Sequence, residues 1–178
     1  MIKYVYEFTN KRKLTKKEFI HWFEKKFLYT LRKFKMVKKG DIVCYENKGD
    51  FRGAVLESLL MMFAERGVIE IIKLPSNRKY SKKAITSTTD MEADKVTNIL
   101  VKGKITRLSE LKPVNGKVIK PLFLFLDKEV MLYCKLMNLK CKARIEKKDK
   151  ISRFVDDLEK KHPEIKHSIV KSFLELYP

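Results

Sequence analysis

Apolar residues recur at helical spacing from Phe19 through Phe23, Phe27 and Leu31 to Phe34, with Ile20 and Leu28 widening the stripe. Thr15 stands one turn ahead with Glu18 three residues on, a capping-box signature, so a long helix is expected from there to Val37-Lys38-Lys39-Gly40. A short strand or arm over Lys3 to Phe8 and a polar turn precede it. The pattern then changes period. Asp41 to Tyr45 is a short apolar run that reads as a buried strand, Glu46 to Asp50 is a loop, and Phe51 to Arg66 is a helix apolar nearly all round. Gly67 is placed to end that helix, and Val68 to Ile72 reads as a second strand. Strand, helix and strand in this order predict a βαβ unit with a buried parallel sheet.

Further along, Ala84 to Thr86 reads as a third short strand and Thr89 or Asp90 as the cap of a helix over Glu92 to Val101. Residues 102–117 read as a mixed loop, and Val118 to Phe125 as an extended apolar segment with Pro121 inside it. Asp127 is expected to cap another helix, with Leu126 and Met131 as a hydrophobic staple. Two more helices are expected over Ile151 to Lys161 and Pro163 to Leu176. No internal repeat interrupts this order.

Charge changes the picture more than composition does. Among 178 residues, 41 Lys and Arg stand against 22 Asp and Glu, a formal net charge of +19. The sequence contains no Gln, as in thermophile-like proteins, but selection for heat tolerance raises Lys and Glu together and does not explain a surplus of one sign. That surplus calls for a polyanion, with RNA first among the choices. One basic cluster comprises Lys11, Arg12, Lys13, Lys16, Lys17, Lys25, Lys26, Arg32, Lys33, Lys35, Lys38 and Lys39. A second comprises Lys140, Lys142, Arg144, Lys147, Lys148, Lys150 and Arg153. The sharp reading is two stripes that grip an RNA backbone by shape and charge; the bland one is two solvated faces. No stretch approaches the length of apolar sequence that spans a bilayer, and no signal-peptide pattern opens the chain, so a cytoplasmic protein without membrane contact is expected.

Candidate chemistry in single residues is sparse. Cys44, Cys134 and Cys141 are an odd, scattered set with no CxxC pair, read as forming no disulfide framework and no metal site. Cys44 and Cys134 are expected in the core. His21, His162 and His167 show no partner spacing.

Several segments carry a resemblance to a known family. Leu14 to Ile20 leading through Lys38-Lys39-Gly40-Asp41, then Thr86 to Ala93 with Asn98-Ile99-Leu100 and Gly103, are two of them. Lys120-Pro121-Leu122 with Asp127 to Val130 and Leu132-Tyr133 is a third, and Glu159 to Pro163 with Lys166, Ser168 and Phe173 a fourth. Together they resemble the PP-loop ATP pyrophosphatases, and within these the archaeal-type tRNA 2-thiolation enzymes. The resemblance implies an α/β fold of the adenine nucleotide alpha hydrolase-like kind: a truncated parallel sheet with flanking helices and helical additions at both ends. It divides the chain into an N-terminal arm and basic helix over 1–40, a core over 41–126 and a C-terminal helical region over 127–178.

The departures from the family pattern shape the functional expectation. Where the family has a Ser-Gly-Gly-x-Asp-Ser phosphate loop, this chain reads Glu46-Asn47-Lys48-Gly49-Asp50-Phe51. Lys48, Gly49, Asp50 and Arg52 are what is left to meet an anion there, and the segment up to Thr86 is too short for the family's intervening elements and their cysteine pair. The family's second aspartate pair is reduced to Asp90 beside Met91, which weakens magnesium binding. Cys141 falls near a late family cysteine. Asp50, Asp90 and Cys141 are therefore the catalytic candidates, without a metal site of their own. The expectation is a non-catalytic, tRNA-binding relative of the thiolating enzymes, with an active paralogue or a sulfur carrier as its protein partner. Two alternatives remain open: an enzyme that still uses ATP and magnesium to adenylate RNA, and a protein-interaction scaffold.

Overall fold

The computed structural model describes residues 3–142 and 149–177. Their elements are β1 (Tyr4–Glu7), β2 (Lys13–Thr15), α1 (Lys16–Lys33), β3 (Asp41–Tyr45), α2 (Phe51–Ala64), β4 (Ile69–Lys73), β5 (Lys82–Ala84) and α3 (Thr89–Val101). A 3-10 segment over Ile105–Leu111 follows, then β6 (Val114–Asn115), β7 (Val118–Ile119), α4 (Asp127–Leu136), α5 (Lys150–Lys161) and α6 (Ile165–Leu176). The class is α/β, as expected.

Among the described residues, the main sheet has the order β4-β3-β5-β7-β6. β3 pairs in parallel with β4 on one side and β5 on the other, β5 pairs in parallel with β7, and β6 closes the edge antiparallel to β7. The chain thus leaves β3 toward one side through α2 and β4, and returns to the other side at β5. That reversal leaves a crevice at the carboxyl ends of β3 and β5, the place where sheets of this kind bind ligands. β1 and β2 form a separate antiparallel hairpin beside α1.

Two apolar clusters hold these layers. The larger joins Phe19, Phe23, Phe27 and Leu31 of α1 to Val43 of β3, Leu56, Leu59 and Leu60 of α2, and Val130 and Tyr133 of α4. The α1 stripe is therefore core: Phe23 stacks closely on Tyr133, with 4.3 Å between ring centroids. The smaller cluster joins Ala93 and Val96 of α3 to Leu108, Phe123, Val170 and Phe173, so α6 packs on α3.

Several boundaries differ from the sequence reading, each for a local reason. The capping box at Thr15 is present: Glu18 Oε2 accepts from the Thr15 N–H at 2.8 Å, and Thr15 Oγ1 accepts from the Glu18 N–H at 3.5 Å. α1 stops at Lys33, before Val37, because Lys35 takes a left-handed conformation with φ 48°. The Met36 N–H then donates to the Leu31 carbonyl at 2.9 Å and the Lys35 N–H to the Arg32 carbonyl at 3.1 Å. This is a Schellman motif, and Met36 and Leu31 are both buried in the core cluster, the apolar contact that accompanies it. Asn138 ends α4 in the same way. β5 lies at Lys82–Ala84 and not at Ala84 to Thr86. α3 begins at Thr89, and neither Thr89 nor Asp90 caps it: the Thr89 hydroxyl donates to the Phe123 carbonyl at 2.9 Å. The extended reading of Val118 to Phe125 holds only for Val118–Ile119, because Pro121 has no N–H for a ladder and the chain turns, with Phe123 and Phe125 donating to Lys120 and Leu122.

At α4 the expected cap is one residue off. Leu126 is the capping position, Asp127 is the first helical residue, and Glu129 reaches back to accept from the Leu126 N–H at 3.0 Å. Met131 is exposed, so the expected Leu126–Met131 staple does not form; with the cap at Leu126 the staple positions are Phe125 and Val130, both buried in the larger core. Glu129 is itself buried and also accepts from Tyr6 Oη at 3.0 Å and Lys26 Nζ at 2.8 Å. One carboxylate thus ties the hairpin, α1 and α4 together. Removing one partner of a buried ion pair leaves the other charge uncompensated. Glu129→Ala is expected to cost about 3 kcal/mol, read as a lower urea midpoint, with Glu129→Gln losing less because it keeps a hydrogen-bond acceptor.

Candidate nucleotide crevice

The loop after β3 is folded on itself. The Gly49 N–H donates to Asn47 Oδ1 at 2.8 Å, and Asn47 Nδ2 donates to Glu57 on α2. Asp50 is the N-cap of α2, its Oδ1 accepting from the Gly53 N–H at 2.8 Å. An N-terminal helix turn with open N–H groups is what an anion needs. Here two side chains of the loop cover that turn. A Cβ on Gly53 would lie 2.7 Å from Asn47 Oδ1 and 3.2 Å from Asp50 Oδ1, so Gly53 is required by the loop's own close approach. From outside, the Lys142 N–H donates to the Gly49 carbonyl at 2.8 Å, laying residue 142 along Asp50 as a single parallel bridge.

Beside this loop, Arg52 leaves α2 and meets Asp127 at the start of α4. Its Nε donates to Asp127 Oδ1 at 2.8 Å and its Nη2 donates to Oδ2, a two-point clamp. The Thr88 hydroxyl, at the end of the β5 loop, donates to the same Oδ1 at 2.8 Å. The Asp127 N–H then donates to Asp90 Oδ2 at 2.7 Å, and Lys166 Nζ of α6 donates to Asp90 Oδ1 at 2.7 Å. Lys166 also reaches Asp156 at 2.9 Å and Glu159 at 2.8 Å, both on α5. A chain of hydrogen bonds thus crosses the crevice at the switch point, with ion pairs at both ends joined through the Asp127 N–H.

The electrostatics of this chain are lopsided. Burial, together with Asp127 alongside, pushes the Asp90 carboxyl above its ordinary range despite Lys166. Burial works against the Lys166 charge as well, but Asp90, Glu159 and Asp156 outweigh it and raise its pKa. Among the described residues, Asp50, Asp90, Asp127, Asp156 and Glu159 are the carboxylates gathered here around Arg52 and Lys166.

A second buried pair lies next to it. Glu92, fully buried on α3, accepts from Lys120 at 2.9 Å, from Lys95 at 2.8 Å and from the Ser87 hydroxyl. Lys120 also donates to the Leu111 carbonyl at 2.7 Å, so the Lys120-Pro121-Leu122 segment serves a structural tie.

These positions set the candidate residues in different surroundings. Arg52 is 5% exposed and clamped by Asp127, so it is not an anion ligand held ready, while Lys48 is exposed and stands 3.6 Å from Glu46. Lys26 leaves the basic stripe: it pairs with buried Glu129 and its Nζ lies 4.8 Å from the Trp22 and Phe125 rings. Burial lowers its pKa more than Glu129 restores it. Lys11, Arg12, Lys13, Lys16, Lys17, Lys25, Arg32, Lys33, Lys35, Lys38 and Lys39 are exposed, as are Lys140, Lys142, Lys150 and Arg153. Arg144, Lys147 and Lys148 lie outside the described residues. Asp50 and Asp90 do flank one crevice, whereas Cys141 is exposed.

The cysteines also differ from expectation. Cys134 is buried on α4, but it is placed as a disulfide pair with Cys141, because the Asn138 turn doubles the chain back toward the helix. Cys44 is free and buried on β3. Among the described residues no group of three or more His, Cys, Asp or Glu is arranged to hold a metal ion. No helix among them is long and apolar enough to cross a membrane.

Sequence reasoning missed Asp127, Thr88, Asp156 and Lys166 as members of this site. By residue type Asp127 reads as a cap, and nothing in local spacing joins it to Arg52 across 75 positions. The three-residue step from Asp156 to Glu159 does put both acids on one helix face, a signal of a buried cation opposite.

Two outcomes follow. Arg52→Ala is expected to lower stability by about 3 kcal/mol in urea denaturation, since it leaves Asp127 without its clamp. The Glu92 carboxyl is pushed up by burial but held below its ordinary value of 4.5 by Lys95 and Lys120. A carboxylate depressed in the folded state gives stability that is present above the unfolded pKa and lost as pH falls through the folded one. Thermal melts of Glu92→Gln are therefore expected to lose less on acidification below 4.5 than those of the parent. Parallel acid limbs would contradict this role.

No protein-family model matches the chain. No curated protein matches it either. Among solved structures, it is similar to the U34-tRNA thiolase NcsA from Methanococcus maripaludis, described with its 4Fe-4S cluster, at TM-score 0.74 and 21% identity over 98% of this chain and 84% of that one. A cluster of that kind needs converging thiolates, and the residues here do not supply them: Cys44 is buried on β3 while Cys134 and Cys141 face each other. With its mostly parallel sheet, its flanking helices and this likeness, the chain has an adenine nucleotide alpha hydrolase-like fold.

Proposed function

We propose that this protein binds structured RNA, foremost tRNA, as a non-catalytic relative of the tRNA-thiolating PP-loop enzymes and a partner subunit in tRNA modification. The observation that carries the reading is the self-filled crevice. Asn47 and Asp50 occupy the first turn of α2, and the Arg52–Asp127–Asp90–Lys166 chain occupies the switch point. Phosphates of ATP would have to displace carboxylates to enter. The longest run of exposed positive charge lies on the outer face of α1 and its flanks. Lys17, His21, Lys25, Tyr29 and Arg32 recur along one exposed side of that helix. Exposed lysines in such a row neutralise phosphates without reading sequence. The fold neighbour is a tRNA thiolase, which favours tRNA as the RNA and an active paralogue or sulfur carrier as the protein partner.

A second reading, an ATP-dependent RNA-modifying enzyme, is favoured by exposed Lys48 and by Gly49, which keeps φ 80° in the loop. Titration separates the two. The protein is expected to bind tRNA more tightly than about 1 µM at low salt, with affinity falling steeply as salt rises. Lys17→Ala combined with Lys25→Ala is expected to lower the salt slope by about 2. Calorimetry with ATP and magnesium should give no binding heat, and no pyrophosphate should be released in the presence of tRNA. Micromolar or weaker tRNA binding at low salt removes the RNA reading. ATP binding with pyrophosphate release removes the non-catalytic one.

A further inference from the structure

At the carboxyl end of α1 the chain opens a surface pocket of about 580 Å³, within the size range of small-molecule sites. Among the described residues, its lining includes none of the crevice residues. Phe34, Leu174 and Tyr177 give it an apolar floor. Phe34 is held from behind by Phe123, with ring centroids 5.8 Å apart, and Tyr177 stacks on Phe173 at 5.5 Å. Both rings are therefore fixed before any ligand arrives, at little ordering cost on binding.

The walls are cationic. Among the described residues, Lys33, Lys35, Lys112 and Lys171 line the pocket with Glu175 as the carboxylate beside them. Lys33 Nζ lies 5.5 Å from the Phe34 ring centroid, so a positive charge stands directly at the apolar floor. Lys171 and Glu175 are 4.0 Å apart and both largely exposed, a contact that water screens and a phosphate can displace. The occupant that matches these walls has a flat, weakly polar body and negative charge close to it on more than one side.

Lys33 and Lys35 also belong to the basic run of α1, so the pocket continues the surface on which the RNA reading rests. We propose that this pocket receives one unstacked base of an RNA single strand, with the flanking phosphates on Lys33, Lys35 and Lys171. Aromatic rings hold bases of any identity by stacking, while the lysines fix the backbone on either side. A blunt duplex cannot present such a base, because its bases are paired and stacked. The inference rests on the RNA-binding reading and adds to it a preference for unpaired nucleotides.

The test compares a short oligouridylate with a blunt RNA duplex of equal charge, by fluorescence anisotropy at fixed salt. Tyr177→Ala, near the end of the described chain and outside the larger core, is the informative variant. It is expected to weaken oligouridylate binding about tenfold and to leave duplex binding unchanged. Lys171→Ala is expected to weaken oligouridylate binding and lower its salt slope by about 1, which a purely structural role of α6 would not do. A thermal melt of each variant matching the parent shows that the fold is intact. If Tyr177→Ala folds and binds oligouridylate as the parent does, the base pocket is wrong while RNA binding stands. Equal loss on oligouridylate and duplex also overturns it, and failure of the parent to bind any RNA overturns the functional reading itself.

Discussion

The clamp between Arg52 and Asp127 fixes the geometry on which the rest of the molecule depends. It joins the first turn of α2 to the first turn of α4, directly over the carboxyl ends of β3 and β5. Asp127 passes the connection through its N–H to Asp90 on α3, and Asp90 passes it to Lys166 on α6. Four helices are thereby registered at the top of one small sheet. Burying these charges is costly, and attraction offsets the cost only when every lone pair and proton has a partner. The chain meets that condition at Asp127 and Asp90: Arg52 and Thr88 take the oxygens of the first, the Asp127 N–H and Lys166 those of the second.

That arrangement separates charge in space. A chain with a formal surplus of +19 gathers Asp90, Asp127, Asp156 and Glu159 around Arg52 and Lys166 among the described residues of its crevice. Its cations are therefore concentrated outside, and Lys26 shows why the division is sharp. Once α4 places Glu129 against α1, a lysine at that helical position is drawn inward onto the carboxylate and two aromatic rings. Neighbouring Lys25 stays in water. Adjacent lysines thus serve unrelated ends, and only packing against a distant helix distinguishes them.

The same reason explains what was legible in the sequence. β3, α2 and β4 announce themselves because a βαβ unit is local and its strands are apolar on both faces. The capping box at Thr15 is local too, and it stands as expected. The end of α1 was misplaced because a left-handed lysine at 35 carries no residue-type signal; the cue lies in Leu31 and Met36, which meet only once the turn has formed. Asp127 reads as a cap by type, yet its carboxylate is claimed by Arg52 across the fold. The pairing of Cys134 with Cys141 likewise depends on a left-handed Asn138 that reverses the chain. The crevice was legible as a place and not as a network.

A phosphate approaching this molecule meets two different surfaces. At the sheet ends it finds carboxylates with their partners already chosen, and an α2 first turn covered by Asn47 and Asp50. Entry there means breaking a two-point Arg–carboxylate clamp inside the protein, where electrostatic terms are large. Along α1 it finds lysines whose charge faces water, where the exchange of counterions for phosphate costs no internal contact. Those lysines end at Lys33 and Lys35, beside a pocket floored by Phe34 and Tyr177. On the proposed RNA reading, a polyanion follows the helix toward this aromatic recess, whose lining among the described residues includes none of the crevice residues.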